Sequence, residues 1–331
     1  MAIVDGRHAE ALQAAAQVLA DGELVAFPTE TVYGLGARAD DDEAVAAIFA
    51  AKGRPADHPL IVHVSSIDDA RHFGDLSSPV VQRLLDKFWP GPLTVIVPRQ
   101  PGVGAAAAGG QDSVGLRMPS HPVARALLAA ASARGVPGVA APSANRFGRV
   151  SPTTAQHVQD ELGEALLVLD GGPCQVGIES TIVDCTRGVP VLLRPGAITR
   201  EQIQQACGMA PLSKEDLPHH TPRASGTLEA HYAPSVPVRL CAAGELQALV
   251  AQAPLAGAGG VVGVYSRLAP AAVPGWLHKA MPGEAAAVAH ELFSVLRELD
   301  AAGVRAIWVE RPPPGAEWDG VRDRLQRAAA A

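Results

Sequence analysis

Short apolar runs alternate with amphipathic stretches along the chain as far as about residue 208. Apolar runs of a few residues predict buried strands, whereas apolar residues spaced three and four apart predict helices. The predicted strands are Glu23–Phe27, Leu60–Val64, Leu93–Val97, Val114–Met118, Gly138–Ala141, Leu166–Asp170, Thr181–Asp184 and Val191–Arg194. The predicted helices are Ala9–Ala20, Asp42–Lys52, Pro79–Phe88, Pro122–Ala133, Thr154–Leu162 and Arg200–Cys207. This alternation predicts an α/β domain over residues 1–208.

The last two of these strands indicate that the sheet is mixed. They flank Cys185–Pro190, a short segment with Arg-Gly at its tip, and so predict an antiparallel hairpin. A hairpin excludes a purely parallel sheet, so we expect a twisted mixed sheet with helices packed against it. Start signals support two of the helices: Asp40–Asp42 supplies acids for one first turn, and Ser151–Thr153 can cap another.

Residues 209–235 differ from the rest of the chain, with four prolines and little periodicity. Such a long irregular segment predicts a linker, and we interpret it as a linker or lid. Beyond it, at residues 236–331, the alternation resumes and predicts a smaller, Rossmann-like α/β domain. Its predicted strands are Val236–Cys241, Gly260–Tyr265 and Ala306–Glu310. Its predicted helices are Gly244–Ala253, Glu284–Ala301 and Trp318–Ala329.

Composition narrows the class of protein. The length of 331 residues suits two domains, and 48% apolar residues exclude disorder over most of the chain. The formal charge of −7 argues against a protein that coats nucleic acid generally. Any anionic ligand must therefore be held by a local basic cluster.

Cysteine use and apolar run length bear on the compartment. The four cysteines include no CxxC pair, which excludes a disulfide framework or zinc finger and fits a reducing cytosol. No apolar run reaches ~18 residues, so we expect no membrane span. Charged residues interrupt the apolar positions near the start, which argues against a signal peptide. We therefore predict a cytoplasmic protein.

A glycine-rich run raises the question of dinucleotide binding. Gly34–Ala39 fits the looser G-x-G-x-x-A form of that fingerprint, with Asp57 at a suitable distance. In the fingerprint the glycines join a strand directly to a helix, whereas here the strand is predicted to end near Phe27. We therefore disfavour a nicotinamide-dependent enzyme and expect these glycines to allow close passage of backbone.

Lys52–Pro55 lies at the end of a predicted helix. Ordinary helix capping explains the lysine, the glycine and the proline. It does not require Arg54, whose fork-shaped guanidinium beside an ammonium suits a phosphate chain. Both interpretations stay open on the sequence alone.

Small polar residues follow or precede three other predicted strands. Ala141–Asn145 comes directly after one strand, where such residues either line a ligand crevice or form a turn. Gly177–Thr181 leads into another strand. Arg194 leaves the partner strand before Pro-Gly, so we expect it at a sheet edge, exposed enough to meet an anion or simply solvated.

Metal and nucleophile motifs are lacking in the sequence. His58 and His63 are separated by a predicted strand, unlike helical metal ligands one turn apart. The sequence contains no G-x-S-x-G elbow and no GxxxxGK[ST] loop. The spread of Thr, Ser, Lys, Arg and Asn therefore predicts ligand positioning and charge stabilisation rather than covalent catalysis.

Several ordered segments add a resemblance to a known family. The run Phe27–Gly36 resembles the signature of the YrdC-type L-threonylcarbamoyladenylate synthases. The following segments match the family in the same order: Lys52–Pro55, Pro59–His63, Trp89–Thr94, Val114–Pro119, Pro142–Asn145, Glu179–Ile182 and Leu193–Gly196. The linker ends in His231–Pro234, which is similar to the long two-domain form of that family.

The resemblance implies a YrdC-like fold with a concave basic site and a specific reaction. Threonine, bicarbonate or CO2, and ATP would give threonylcarbamoyl-AMP and pyrophosphate in a nucleotidyl transfer. Mg²⁺ would accompany ATP. The product would serve downstream threonylcarbamoyl-transferase proteins that modify tRNA, and weak tRNA binding is a further expectation. No membrane partner is implied.

The resemblance also implies roles for individual residues. The residues that would hold threonine are Thr29, His63, Arg117, Ala141 and Ser180, with Arg117 facing the carboxylate. The residues that would hold ATP are Lys52, Arg54, Ser113, Ser143, Asn145, Ser151, Arg194 and Tyr232. Lys52, Arg54 and Arg194 would stabilise the reacting phosphates, no residue would bind a metal, and Ser225–Tyr232 would close over the site. His58 departs from the family, which often has asparagine there.

Two other functions compete with this one. A double-stranded RNA- or tRNA-binding module would use the same basic concavity without catalysis, but the acidic total charge and low aromatic content weaken that hypothesis. A carbamoyl-transfer protein of hydrogenase maturation carries a similar module. Such proteins also need zinc fingers and an acylphosphatase-like segment, and the sequence has neither.

Overall fold

The computed structural model of the chain describes residues 3–213, 216, 222–252, 261–268 and 275–331. It divides into two compact units. The first comprises Met1–Phe147 and Ser151–Thr227, and the second comprises Gly148–Val150 and Leu228–Ala331. The division after Thr227 falls within the segment interpreted above as a linker, of which residues 214, 215 and 217–221 lie outside the described residues.

The first unit is built on one mixed sheet. Its strands are β1 (Ile3–Asp5), β2 (Val25–Phe27), β3 (Gly34–Arg38), β4 (Ile61–His63), β5 (Leu93–Pro98), β6 (Ser113–Arg117), β7 (Val139–Ala140), β8 (Leu167–Asp170), β9 (Thr181–Asp184), β10 (Val191–Arg194) and β11 (Leu212–Ser213). Their order across this eleven-stranded sheet is β1-β8-β2-β3-β7-β4-β6-β5-β9-β10-β11. Parallel and antiparallel pairs both occur, and β9 and β10 form the predicted antiparallel hairpin. The predicted mixed α/β class is therefore confirmed.

Helices flank this sheet, mostly where the apolar spacing predicts them. They are α1 (Ala9–Ala20), α2 (Asp42–Lys52), α3 (Ile67–Phe73), α4 (Pro79–Phe88), α5 (Pro122–Ser132), α6 (Ala155–Leu162) and α7 (Arg200–Cys207). Capping fixes the ends of α2. The Asp41 carboxylate accepts from two backbone N–H groups of the first turn, and Gly53 ends the helix at φ 63°. Because left-handed backbone favours glycine, the chain turns sharply there, directly after Lys52.

Strand β3 corrects the expectation for the glycine-rich run. Gly34–Arg38 is a strand paired antiparallel with β2 and β7, so it cannot be the strand-to-helix turn of a dinucleotide site. Gly36 shows why glycine is needed: a Cβ there would lie 2.7 Å from a methyl of Val139 and 2.8 Å from the Phe27 ring. The expectation that these glycines allow close passage of backbone is confirmed. Periodicity also missed the short elements β1, β11 and α3.

The buried core of the first unit is apolar and extends under most of the sheet. One cluster includes Leu35, Ile48, Val62 and Phe73, all with side chains inaccessible to solvent. It anchors α2 and strand β4, the two elements that flank Lys52–Pro55. The core therefore fixes the backbone from which the basic residues of this segment project.

The second unit carries a smaller sheet. Its strands are β12 (Val238–Cys241), β13 (Val262–Ser266), β14 (Trp276–Ala280) and β15 (Ile307–Glu310). Its helices are α8 (Ala243–Gln252), α9 (Ala285–Ala301) and α10 (Asp319–Ala329), the last preceded by a 3-10 turn at Ala316–Trp318. The order is β12-β15-β13-β14 with parallel pairing throughout, as in Rossmann-like units.

Most elements of the second unit agree with the predicted ones. Strand β14 was not predicted. Ala253 and Gly260, ends of a predicted helix and strand, lie outside the described residues. Within the described ranges, no helix is both long enough and apolar enough to cross a bilayer.

Candidate active site

Lys52 is a buried cation rather than a solvated helix cap. Its side chain lies at the end of α2 and is 4% exposed. The ammonium donates to the carbonyl oxygen of Ser143 at 2.6 Å and to that of Asn145. Burial, together with the positive charge of Arg54, lowers the pKa of Lys52 to about 7, although the charges of Glu161 and Glu179 favour the ammonium form. Both hydrogen-bond acceptors are neutral, so no carboxylate is hydrogen-bonded to this ammonium to compensate its charge.

Arg54 lies two residues further on and is also buried. Its Nη2 donates to the Pro59 carbonyl oxygen at 3.1 Å. Its guanidinium carbon lies 5.9 Å from the ring centroid of Phe147, within range of a cation–π contact. The backbone N–H of Phe147 donates to the Lys52 carbonyl oxygen at 2.9 Å. Two cations of the predicted phosphate cluster are therefore brought together.

Ser143, Asn145 and Ser151 take positions that the sequence left open. Ser143 and Asn145 contribute their carbonyl oxygens to Lys52, so the turn after β7 pins the end of α2. Ser151 does not cap a helix: Thr154 is the N-cap of α6. The Ser151 hydroxyl instead donates to the buried carboxylate of Glu179.

Arg117 lies in a second buried polar cluster, in which its charge is compensated. Its Nη2 donates to Glu30 Oε1 at 2.6 Å, and its Nη1 donates to the Thr31 hydroxyl at 2.9 Å. The second oxygen of Glu30 accepts from the backbone N–H of Ser120. Burial opposes ionisation of Glu30, but the charge and hydrogen bond of Arg117 hold the pKa of this carboxyl below its usual value. Glu30 and Arg117 therefore form a buried ion pair.

Two other residues predicted to bind threonine, Thr29 and His63, lie beside this pair. Thr29 donates to the Val32 carbonyl oxygen at 2.6 Å, and its hydroxyl lies 2.8 Å from that of Thr31. His63 on β4 is in register with Arg117 on β6. Burial and Arg117 lower the pKa of His63 to about 3, so its imidazole is neutral at pH 7.

Ala141 and Ser180 are the other two residues predicted to bind threonine. The Ala141 N–H donates to the Ile61 carbonyl oxygen at 2.9 Å, directly after β7. The Ser180 hydroxyl lies 2.8 Å from that of Thr94, immediately before β9. Ala141 therefore offers a methyl group, and Ser180 a hydroxyl already in a buried hydrogen-bonded pair.

Arg194 is not the exposed edge residue that the sequence suggested. It is 2% exposed, and β11 lies outside its strand β10. The guanidinium donates twice to the Ser180 carbonyl oxygen, at 2.9 and 3.0 Å, and once to the Ser225 carbonyl oxygen at 2.8 Å. Arg194 therefore ties the segment around Ser225 to the start of β9.

A small, partly open pocket adjoins this arginine network. Its lining is mainly aliphatic, with a few hydroxyl and amide groups. The lining residues are Pro59, Leu60, Ile61, Thr94, Ile96, Gln111, Ser113, Gly115, Ile182, Arg223, Ala224 and Ser225. The structure therefore places Ser113 at a pocket that suits a flat apolar group with polar edges.

The segment 223–225 closes one side of this pocket. Gln111 donates from its amide nitrogen to the Arg223 carbonyl oxygen and accepts from the Arg223 N–H. The Arg223 guanidinium pairs with Asp57 at 2.7 Å. These contacts hold the segment on the first unit.

Tyr232 belongs to the second unit. It is buried at φ 63°, with its ring stacked on Phe293 at 5.4 Å between centroids. The guanidinium carbon of Arg324 lies 5.4 Å from the same ring. Its role in ATP binding stays a prediction.

Several polar residues at these clusters were not assigned a role from the sequence. Glu30, Thr31, Thr94 and Glu179 are at most 7% exposed, and each hydrogen-bonds to a predicted site residue. In the sequence, such residues can be recognised as a carboxylate or hydroxyl in a short motif with apolar neighbours, for example Glu30 between two threonines. In the described part of the chain, no group of three or more His, Cys, Asp or Glu side chains could hold a metal ion.

Comparisons with known proteins cover both units. The Sua5/YciO/YrdC family model, described as "Telomere recombination", matches residues 17–196. The model described as "Threonylcarbamoyl-AMP synthase, C-terminal domain" matches residues 198–330. The solved structure of Pyrococcus abyssi Sua5 complexed with L-threonine is similar, with a TM-score of 0.85 and 35% identity. That match covers 96% of this chain and 94% of the other.

Three relatives carry the name threonylcarbamoyl-AMP synthase. Those from Bacillus subtilis and Pyrococcus abyssi are 45% and 43% identical, each over 69% of this chain. These alignments span 65% and 66% of the relatives' own lengths, just under two thirds. The relative from Schizosaccharomyces pombe is 36% identical over 97% of this chain and 88% of its own length. The chain therefore belongs to the Sua5/YciO/YrdC family, in its long form with a Sua5 C-terminal domain.

Proposed function

We propose that this chain is an L-threonylcarbamoyladenylate synthase, a nucleotidyltransferase that joins threonine, bicarbonate or CO2, and ATP. The buried, carbonyl-held ammonium of Lys52 beside Arg54 carries the proposal. A buried cation without a hydrogen-bonded carboxylate is costly unless an anion arrives to share its charge. The names of the three relatives support the same activity.

The reaction has two bond-forming steps. The threonine amine adds to the carbon of CO2, loses a proton and gives a carbamate. A carbamate oxygen then attacks the α-phosphorus of ATP, while the bond from that phosphorus to the bridging oxygen breaks and releases pyrophosphate. Both anions repel each other in water, so fixed positive charge and exclusion of water are what the protein must supply.

Lys52, Arg54 and Arg194 would supply positive charge at the phosphates. Lys52 and Arg54 are adjacent on one chain segment, and Arg194 borders the pocket through Ser225. In this proposal the pocket takes the adenine, whose flat faces suit isoleucine side chains and whose edge suits Ser113. Ser143, Asn145 and Ser151 would border the phosphates or ribose.

The cluster around Arg117 would hold threonine. Its guanidinium would face the threonine carboxylate while Glu30 and Thr31 keep it in one orientation. Neutral His63 beside it can accept or donate a hydrogen bond without adding charge. Thr29, Ala141 and Ser180 would border the side chain, where two methyl and two hydroxyl groups match threonine's own methyl and hydroxyl.

Mg²⁺ is part of the proposal only as the ion that accompanies ATP. Across the described residues, no cluster of three or more His, Cys, Asp or Glu could hold it, so the chain would meet it through phosphate oxygens. It would supply charge neutralisation on the phosphates. The downstream partners would be threonylcarbamoyl-transferase proteins that act on tRNA.

The test is release of pyrophosphate from ATP by the full-length chain. We expect release to require both threonine and bicarbonate, and to yield a product that contains labelled carbon from bicarbonate and labelled threonine. Serine in place of threonine tests the predicted methyl contact. ATP turnover that is indifferent to threonine would contradict the proposed function.

A further inference from the structure

His58, where the family often has asparagine, lies beside Lys52 and Arg54, two of the cations predicted to bind phosphate. His58 is half-buried, and its imidazole packs edge-on against the ring of Phe147, with 5.6 Å between centroids and an interplanar angle of 68°. The next residue, Pro59, provides the carbonyl oxygen that accepts from Arg54. The histidine is therefore placed to support the surroundings of Arg54 rather than to contact a ligand in place of asparagine.

Phe147 is the residue that connects this histidine to Arg54. Its ring meets His58 and also lies 5.9 Å from the guanidinium carbon of Arg54. Its backbone N–H donates to the Lys52 carbonyl oxygen at 2.9 Å, so the ring is anchored to the end of α2. Phe147 thus contacts the start of the segment 52–58 through its backbone N–H, and Arg54 and His58 through its ring.

Charge on the histidine is compatible with this arrangement. Burial lowers the pKa of His58, and the charge of Arg54 lowers it further, against the opposing effect of Asp57. A neutral imidazole does not repel the guanidinium. An aromatic face restricts a guanidinium to a flat orientation without compensating its charge, unlike a carboxylate.

We propose that Phe147 and His58 form an aromatic support that positions Arg54 for the phosphates of ATP. This inference rests on the proposed function and adds two positioning residues to it. Phe147 acts through Arg54, and His58 acts through Phe147. The support restricts the orientation of the guanidinium at the end of α2.

The experiment uses four variants of the full-length chain. Phe147→Leu removes the aromatic face and keeps an apolar side chain, whereas Phe147→Tyr keeps the face. His58→Asn removes the edge contact. Phe88→Leu is the matched control, because Phe88 is a partly buried aromatic residue of the same unit that packs on the core. The measurements are KM for ATP and for threonine, the calorimetric Kd for ATP, and Tm.

We expect Phe147→Leu to raise KM and Kd for ATP about threefold to tenfold, with KM for threonine unchanged. Phe147→Tyr should restore wild-type values. His58→Asn should have a smaller effect, and none when added to Phe147→Leu, because its contact is the ring. Phe88→Leu should change Tm at most.

Two results would overturn the proposal: an unchanged Kd for ATP in Phe147→Leu, or an equal loss in Phe147→Tyr. Failure of the proposed function is distinguishable from these results. If the wild type binds ATP without threonine-dependent turnover, the Kd values still decide whether the support exists. A wild type that binds no ATP would overturn both.

Discussion

Two buried cations of the first unit differ in how their charge is compensated. Lys52 donates to two carbonyl oxygens, whereas Arg117 is paired with the carboxylate of Glu30. The ammonium of Lys52 is therefore oriented by neutral acceptors, whereas the guanidinium of Arg117 is neutralised by a carboxylate. A polyanion suits the first region, and an amino acid, which carries both charges, suits the second.

The comparison shows that burial alone does not define an anion site. Both side chains are at most 4% exposed, so solvent access does not distinguish them. The difference lies in the acceptors: neutral carbonyl oxygens orient a cation, and a carboxylate also neutralises it. The following predictions test this difference, beginning with the largest expected effect.

Lys52→Ala removes the buried ammonium from the region that suits a polyanion. We expect threonine-dependent pyrophosphate release to fall by about a hundredfold or more, because a fixed donor to developing charge is lost. KM for threonine should change little. Lys87→Ala on the exposed face of α4 is the control, and it should retain activity. Equal losses in both variants would contradict the special role of Lys52.

Glu30→Gln removes the carboxylate that compensates the charge of Arg117. It leaves the Arg117 charge buried without its carboxylate, which costs about 3–5 kcal/mol of unfolding free energy. The measurement is urea unfolding at pH 7, with Glu23→Gln, an exposed site, as the control. A change below about 1 kcal/mol would show that the pair contributes no more than a surface salt bridge.

The same ion pair should make stability sensitive to acid. The folded-state pKa of Glu30 lies below its usual value of 4.5. Its contribution is therefore present above pH 4.5 and is lost as pH falls through the folded-state pKa. Glu30→Gln should lack this part of the acid dependence in unfolding curves between pH 6 and 3. Parallel curves for wild type and variant would argue against the pair.

Lys52 should take up a proton when ATP binds, whereas the compensated Arg117 should not. Its pKa of about 7 is below the usual 10.5, so at pH 8 the lysine is largely neutral without nucleotide. A bound polyanion favours the ammonium, so ATP binding at pH 8 should take up as much as about one proton. Calorimetric titrations in two buffers of different ionisation enthalpy measure this uptake. Lys52→Arg should abolish it, and uptake that persists there would assign it to another group.

The lowered pKa of Lys52 also makes the free energy of unfolding depend on pH. Between pH 7 and 10.5 the unfolded chain binds more protons at Lys52 than the folded chain does. The contribution of this lysine to the unfolding free energy therefore rises with pH across that window. The slope of wild type minus Lys52→Arg, measured by urea unfolding, should be positive there; a flat difference would contradict the depressed pKa.

Thr94→Val should have the smallest effect. It removes one hydroxyl from the buried pair with Ser180 and keeps the shape of the side chain. We expect a loss of about 1 kcal/mol in unfolding free energy and a severalfold change in KM. Thr227→Val, on a half-buried hydroxyl that donates within its own turn, is the comparison. A larger loss at Thr227 would mean that the Ser180 pair is unimportant.

Periodicity predicted the long elements well and the glycine-rich or very short ones poorly. The spacing of apolar residues in α2 and in β5 is sufficient to define each, because each presents several buried side chains. Strand β3 was missed since its glycines hide the strand pattern, although close packing against β2 requires them. In α3 only Ala70 and Phe73 are buried, too few to show helical spacing.

The candidate site divides in the same way. Lys52 and Arg54 are neighbours in sequence, so their pairing could be recognised from a motif. Glu30 and Arg117 are separated by 87 positions, and no local pattern connects them. The exposure expected for Arg194 was wrong because Ser180 and the segment around Ser225 cover its guanidinium. Contacts between distant segments depend on sheet order, which local spacing does not encode.

The family, the α/β class and the residue types available for an anion and an amino acid can be recognised from the amino-acid sequence. The folded structure shows which cations are neutralised, because that depends on whether a carboxylate or a carbonyl oxygen lies within hydrogen-bonding distance. It also gave His58 a partner in Phe147. Charge compensation and ring packing act over a few ångströms in space, whatever the separation along the chain.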